Sequence, residues 1–232
     1  CPVWRYGPGQ EWDGEITSVD TERGTMDFQL LRGAEVLGTF TTALVGSHNL
    51  YNQVAAAAAA IHYGVEPAEL AEGFATFAGI KRRQEVIGEP GGVTVLDDFA
   101  HHPTAVRLTL GALRERFGQR RLWAVWEPRS ATSRRNTFQA EYAEAFDDCD
   151  FAVIASPFDQ SNIDEGDRFS SIQLVEDLSE RGVDALVLEN ASQIAQTVGT
   201  RAHPRDVVAI LSNGSFGGLH VRLLDVLATR FS

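Results

Sequence analysis

From Val93 to the end of the chain, short runs that are apolar at nearly every position alternate with longer segments whose apolar residues recur at helical spacing. The apolar runs are 93–98, 121–126, 151–155, 184–188 and 206–211, and the helical segments lie near 103–117, 137–147, 169–181 and 191–200, with a last one ending at about Arg230. A strand without polar alternation has both faces covered, and a helix after each such strand supplies both the crossover and the cover. The pattern predicts an α/β domain built on a doubly wound, mostly parallel sheet.

The first third reads differently. Glu15–Val19 and Thr25–Leu30 alternate polar with apolar, and Gly33 and Gly38 punctuate the next dozen residues, as in a meander or a sheet edge. At Gly46-Ser47 the pattern changes to a helix, with Ser47 expected as its N-cap, the alanine run Ala55–Ala60 as its body and Gly64 near its end. Pro67 suits the first turn of a second helix. The composition turns basic at Lys81-Arg82-Arg83, so the boundary is placed after Gly79, giving domains 1–79 and 80–232.

The totals narrow the classes of function. A chain of 232 residues, 44% of them hydrophobic, can bury one large core or two smaller ones. No apolar run approaches the roughly 18 residues a membrane span needs, and the start, Cys1-Pro2-Val3-Trp4-Arg5, lacks both a signal peptide's apolar stretch and a Met, which suggests a piece of something longer. With only Cys1 and Cys149, neither a disulfide framework nor a zinc cluster is indicated, and a reducing cytoplasm is the default. The net charge of −12 argues against nucleic acid as main partner. All but three of the twenty Lys and Arg residues come after Gly79, which leaves room for a small anion near Lys81-Arg82-Arg83 or near Arg129, Arg134 and Arg135. Solvated surface arginines account for most of the others.

Chemistry concentrates where strands end. Val93–Asp98 runs into Asp97, Asp98, His101 and His102 and then Pro103; Glu127–Arg135 comes after the second run; Ser212-Asn213-Gly214-Ser215-Phe216-Gly217-Gly218 comes after the last. In a parallel sheet such loops emerge along one edge, where ligands bind. The Asp and His residues could cap the strand end or ligate a metal. Glycines could admit an anion to backbone amides or serve a tight turn, and the arginines could clamp a carboxylate or phosphate. Asn49 and Asn52, three apart in the first helix, could read a purine edge or satisfy local backbone.

Taken in order, Gly46-Ser47-His48-Asn49 with Asn52, Arg82-Arg83-Gln84-Glu85, Asp97-Asp98-Phe99-Ala100-His101-His102-Pro103-Thr104, Glu127-Pro128-Arg129-Ser130 and Leu211-Ser212-Asn213-Gly214 resemble the Mur ligases, ATP-dependent amide-forming enzymes of peptidoglycan synthesis. The likeness is greatest to the branch that recycles a murein tripeptide, although Ala131 stands where that branch usually carries Asn. The resemblance implies the end of an ATP-binding central domain and then a Rossmann-like C-terminal domain. It implies His48, Asn49 and Asn52 at the adenine, Arg83 near the ATP phosphates, and Asp98 at the ribose. His101 falls on the nucleotide and amine side as the candidate catalytic group, assisting proton removal or orienting a neighbour. Arg129 and Ser212, with Asn213 and Phe216, fall where the incoming amino acid or peptide is received. The partners implied are UDP-N-acetylmuramate, the tripeptide L-Ala-γ-D-Glu-meso-diaminopimelate, and preceding domains of the same parent chain.

ATP would phosphorylate the muramate carboxylate, and the tripeptide amine would displace phosphate. Such a reaction mainly needs positioning and charge neutralisation. The sole lysine is Lys81 and no Gly-x-x-Gly-Lys-Thr loop occurs. The resemblance implies that the phosphate loop and the Mg2+ ligands belong to a preceding N-terminal part, so this stretch is expected to be inactive alone. The alternatives are a UDP-N-acetylmuramate–L-alanine ligase, a metal-dependent phosphoesterase using the Asp and His residues, and a non-catalytic nucleotide-binding module.

Overall fold

The computed structural model describes residues 3–232. They form two compact units, one running to Gly79 and taking in Glu115–Gly118, the other holding Ile80–Arg114 and Gln119–Ser232.

In the first unit β1 (Trp12–Asp20), β2 (Thr25–Arg32) and β3 (Glu35–Thr42) form an antiparallel meander. Alternation in β2 buries Met26, Phe28 and Leu30 on one face, where the Phe28, Phe40 and Phe74 rings lie 5.4–5.6 Å apart. Helix α1 (Ser47–His62) covers the sheet with Leu50, Val54, Ala57 and Ala58. Gly14 allows this approach, since a Cβ there would lie 2.8 Å from side-chain atoms of Leu50 and Val54. The expected N-cap is corrected by one residue: Gly46, at φ 107°, is the cap, Ser47 is already helical, and no side chain caps the end. The positive φ at the cap suits glycine. Helix α2 (Pro67–Thr76) opens with Pro67 and a capping box between Glu66 and Glu69.

The second unit is a six-stranded sheet in the order β4-β5-β9-β6-β7-β8. Its strands are β4 (Glu85–Gly88), β5 (Thr94–Asp98), β6 (Leu122–Trp126), β7 (Phe151–Ala155), β8 (Asp184–Leu188) and β9 (Val207–Leu211). All neighbours are parallel except β4 and β5, so the predicted doubly wound, mostly parallel sheet is the observed one. Strand β4 escapes the sequence reading because it has four residues at an edge and none fully buried. The helices are α3 (Pro103–Phe117), α4 (Gln139–Ala145), α5 (Ser171–Glu180), α6 (Ala191–Arg201) and α7 (Leu219–Phe231). Helix α4 is shorter than the expected 137–147, because Asn136–Phe138 is a 3-10 turn.

The period of two divides the core. Val95, Trp123, Val125, Val153, Val208 and Ile210 pack with Ile194 and Val198 of α6 and Leu219, Leu223 and Leu227 of α7. On the other face Trp126 lies against Tyr142, Phe146 and Phe169 at 4.4, 6.0 and 5.5 Å between ring centroids.

Helices α6 and α7 meet closely at Gly199, where a Cβ would fall 2.4 Å from Val226 Cγ1. Glycine to alanine inside a helix ordinarily gains up to about 1 kcal/mol. Here Gly199→Ala is expected to destabilise by about 1–3 kcal/mol through overpacking, measured as a lower denaturation midpoint; a raised midpoint would show that the helices can part freely.

Candidate functional site

Strands β5, β9 and β6 end level, since Asp98 pairs with Leu211 and Leu211 with Trp126. The ladder continues one bond further on each side, Ser212 N–H donating to Asp98 O at 3.1 Å and Glu127 N–H to Leu211 O at 3.1 Å. The three polar loops therefore leave side by side from the carboxyl edge, with the Ser212 loop in the middle.

Adjacent residues of a strand face opposite ways, and the two aspartates diverge accordingly. Asp98, 2% exposed, accepts the amides of Gln84 and Ala100, both at 2.8 Å, and the Thr109 hydroxyl at 3.4 Å. Burial pushes its carboxyl above the usual aspartate value, against the opposing pull of the two amides, the Arg83 charge and Thr109. Asp97 instead meets Arg82 Nε at 3.2 Å and His220 Nε2 at 3.0 Å. The clustering that metal ligation would need is absent here, and no group of three or more His, Cys, Asp or Glu side chains gathers among the described residues. His101 has Nδ1 2.9 Å from the Phe99 carbonyl. A carbonyl only accepts, so Nδ1 carries the proton, and in the neutral ring Nε2 is the acceptor. The Tyr142 hydroxyl donates to the His101 carbonyl at 2.6 Å. His102 packs its ring on Phe138, 4.7 Å between centroids.

Arg82 ties two of the loops together. At φ 60° it turns its guanidinium onto Asp97 while Nη2 donates to the carbonyls of Ser212 and Gly214. Arg82 and Arg83 both lie over the Phe99 ring, 5.1 and 5.9 Å from its centroid. On the other side the buried Ser212 hydroxyl donates to Glu127 Oε2 and accepts the Gly214 amide at 2.9 Å. Arg129 Nη1 stands 3.5 Å from Glu127 Oε1.

The other candidates divide. Arg134 donates to the Asp159 carbonyl and Arg135 lies 3.9 Å from Asp167, so both are engaged with the loop after β7. The Phe216 ring is 3% exposed within the α6–α7 core, where it anchors the loop and offers a ligand no surface. Asn213 Oδ1 is buried, with no hydrogen-bond partner among the described residues. In the first unit Asn49 Nδ2 donates to the Val45 carbonyl at 2.8 Å, the local-backbone alternative; His48 is half-buried and Asn52 exposed. The sequence does not mark Arg82, Glu127 or His220 for these contacts, because they depend on β9 lying between β5 and β6.

Residues 82–214 match the family described as Mur ligase, glutamate ligase domain. The chain belongs to the Mur ligase family. The matched stretch holds Arg83, Asp98, His101, Arg129, Ser212 and Asn213 of this Mur ligase chain and leaves His48, Asn49, Asn52 and Phe216 outside. Among curated relatives, the UDP-N-acetylmuramate–L-alanyl-γ-D-glutamyl-meso-2,6-diaminoheptandioate ligase of Escherichia coli is 35% identical over 225 residues, which is 97% of this chain and 46% of that one. A UDP-N-acetylmuramate–L-alanine ligase of Roseiflexus is 36% identical over 216 residues, 93% of this chain and 45% of the relative. Among solved structures, a murein peptide ligase from Psychrobacter arcticus superposes with a TM-score of 0.64 at 31% identity, covering 98% of this chain and 47% of the other. This Mur ligase chain thus spans about half the length of the relatives it matches.

Proposed function

We propose that this chain is the nucleotide- and amine-binding half of an ATP-dependent amide ligase that joins UDP-N-acetylmuramate to L-Ala-γ-D-Glu-meso-diaminopimelate in the recycling of bacterial cell-wall peptides, a cytoplasmic reaction. The observation that carries the reading is the shared rim: Asp98 and Arg129 flank one central loop, Ser212–Gly214, in a chain of this family.

The roles derive from the side chains. Asp98 keeps acceptor lone pairs beyond its two amide bonds, and these suit ribose hydroxyls. Arg83, exposed on the Phe99 ring, supplies charge for phosphates. His48, Asn49 and Asn52 of the first unit are assigned to the adenine, Asn49 through its amide oxygen because its nitrogen serves Val45. His101 presents Nε2 as an acceptor that orients the attacking amine or takes its proton. Arg129, Ser212 and Asn213 receive a carboxylate of the incoming peptide; Phe216 supports them from the core.

ATP supplies the phosphoryl group that activates the acid. We place the Mg2+ ligands, with the phosphate loop, in the other half of the parent enzyme, since this chain spans 46% of the Escherichia coli relative. The described residues also include no helix long and apolar enough to cross a membrane.

The test is amide formation by the full-length enzyme from UDP-N-acetylmuramate and ATP, with the tripeptide or L-alanine as amine. Tripeptide use is expected. Use of L-alanine alone would make it the other ligase, which the Roseiflexus likeness keeps in view, and no amide with either amine would leave a binding role. Arg129→Ala is expected to raise the KM for the tripeptide about ten- to hundred-fold, the size of one lost charge-assisted hydrogen bond, while the KM for ATP holds. A change confined to ATP would contradict the assignment.

A further inference from the structure

The loop after β7 carries an aromatic ring that the core does not use. Phe158 is 45% exposed, yet its backbone is fixed: its amide donates to the Pro128 carbonyl at 3.1 Å, one residue before Arg129. The next residues are held as firmly. Asp159, at φ 27°, accepts both the amide and the hydroxyl of Ser161, and Gln160 Nε2 bridges the carbonyls of Arg134 and Phe169 at 2.7 and 3.0 Å. An exposed phenylalanine on so braced a turn needs a reason other than burial.

The reason lies directly against it. The Arg129 Cζ sits 4.0 Å from the centroid of the Phe158 ring, a separation at which a guanidinium gains from the ring's negative face. A Cβ on Gly214 would collide with Arg129 Cδ, Nε and Cζ. Gly214 does not have a positive φ, so its missing side chain serves space here. Glu127 takes one nitrogen at 3.5 Å. The guanidinium therefore has an aromatic plane, a bare backbone and a carboxylate around it, and Arg129 remains about a third exposed.

We infer that Phe158 and Gly214 form a slot that holds the Arg129 guanidinium in one orientation, so that the loop after β7 is part of the site recognising a carboxylate on the amine substrate, with Phe158 a positioning residue. This rests on the reading that Arg129 receives that carboxylate. A planar fork needs a fixed plane to bind a carboxylate through two parallel N–H donors, and a mobile arginine would spend binding energy on being ordered.

In the full-length enzyme, Phe158→Ala is expected to raise the KM for the tripeptide about three- to ten-fold, with the KM for ATP and kcat little changed. Phe158→Tyr, which keeps the aromatic face, is expected to restore it, whereas Phe158→Leu, apolar but without that face, is expected to behave like alanine. In a background of Arg129→Ala the Phe158→Ala change should add nothing. If Arg129→Ala raises the tripeptide KM and Phe158→Ala does not, or if Phe158→Leu rescues fully, the slot is overturned while the function stands. If Arg129→Ala itself leaves the tripeptide KM unmoved, the underlying reading fails.

Discussion

Replacing Asp98 by alanine is expected to lower the stability of the chain by about 2–4 kcal/mol at neutral pH, before any nucleotide is considered, because the amides of Gln84 and Ala100 lose their acceptor. The pH dependence comes from its raised pKa. A folded carboxyl that holds its proton more tightly than the unfolded one stabilises most below the unfolded value of 3.8, and that contribution is lost as pH rises through the raised folded value. The gap between wild type and Asp98→Ala should therefore be widest in acid and narrow as pH rises through that value. Chemical denaturation at several pH values measures it; a gap that widens with pH would mean that the amides outweigh burial. In the full-length enzyme the same change should impair ATP use more than tripeptide use.

The second large effect is expected at Trp126. It is fully buried at the end of β6, and its ring contacts Tyr142, Phe146 and Phe169. Trp126→Ala is expected to cost about 3–5 kcal/mol, enough to consume a large part of a domain's typical stability of about 5–15 kcal/mol. The variant should also loosen the site, because Glu127 is the next residue and its bond to Ser212 would lose its base. Calorimetry checks the first effect and hydrogen exchange at the Glu127 amide the second. A drop below about 1 kcal/mol would show that Tyr142 and Phe146 collapse into the vacancy, since the cost of truncation depends on how far a site can relax.

Much of this was legible in the chain itself. Strands such as Phe151–Ala155 and Asp184–Leu188, and helix Pro103–Phe117, fall where the apolar runs and the proline place them. In the inner strand Phe151–Ala155 burial on both faces leaves no polar interruption to blur the limits, and Asp184–Leu188, at the sheet edge, is marked by its apolar run alone. The convergence of three loops is a property of parallel strands alone. Periodicity does not encode which strand is neighbour to which. Arg82 reaches the carbonyls of Ser212 and Gly214 across 130 and 132 residues, and nothing local marks it for that duty. The glycines around Phe216 suggest a ligand loop equally well with its ring outward or inward, and the ring packs inward, against α6 and α7. Phe158 carried no signal, since one aromatic in a polar loop looks like any exposed residue.

The place of β9 has a consequence for how the molecule comes into being. The last of this sheet's strands in chain order occupies its middle, between two made about a hundred residues earlier. Until residue 211 has left the ribosome, β5 and β6 each present a bare, apolar backbone edge, the kind of surface on which chains aggregate. Completing the sheet also closes a long loop, which slows the final step. The loop at the heart of the rim thus follows every other strand of the sheet, and a shortened product ending before Val207 would hold the halves of a binding edge with nothing to join them.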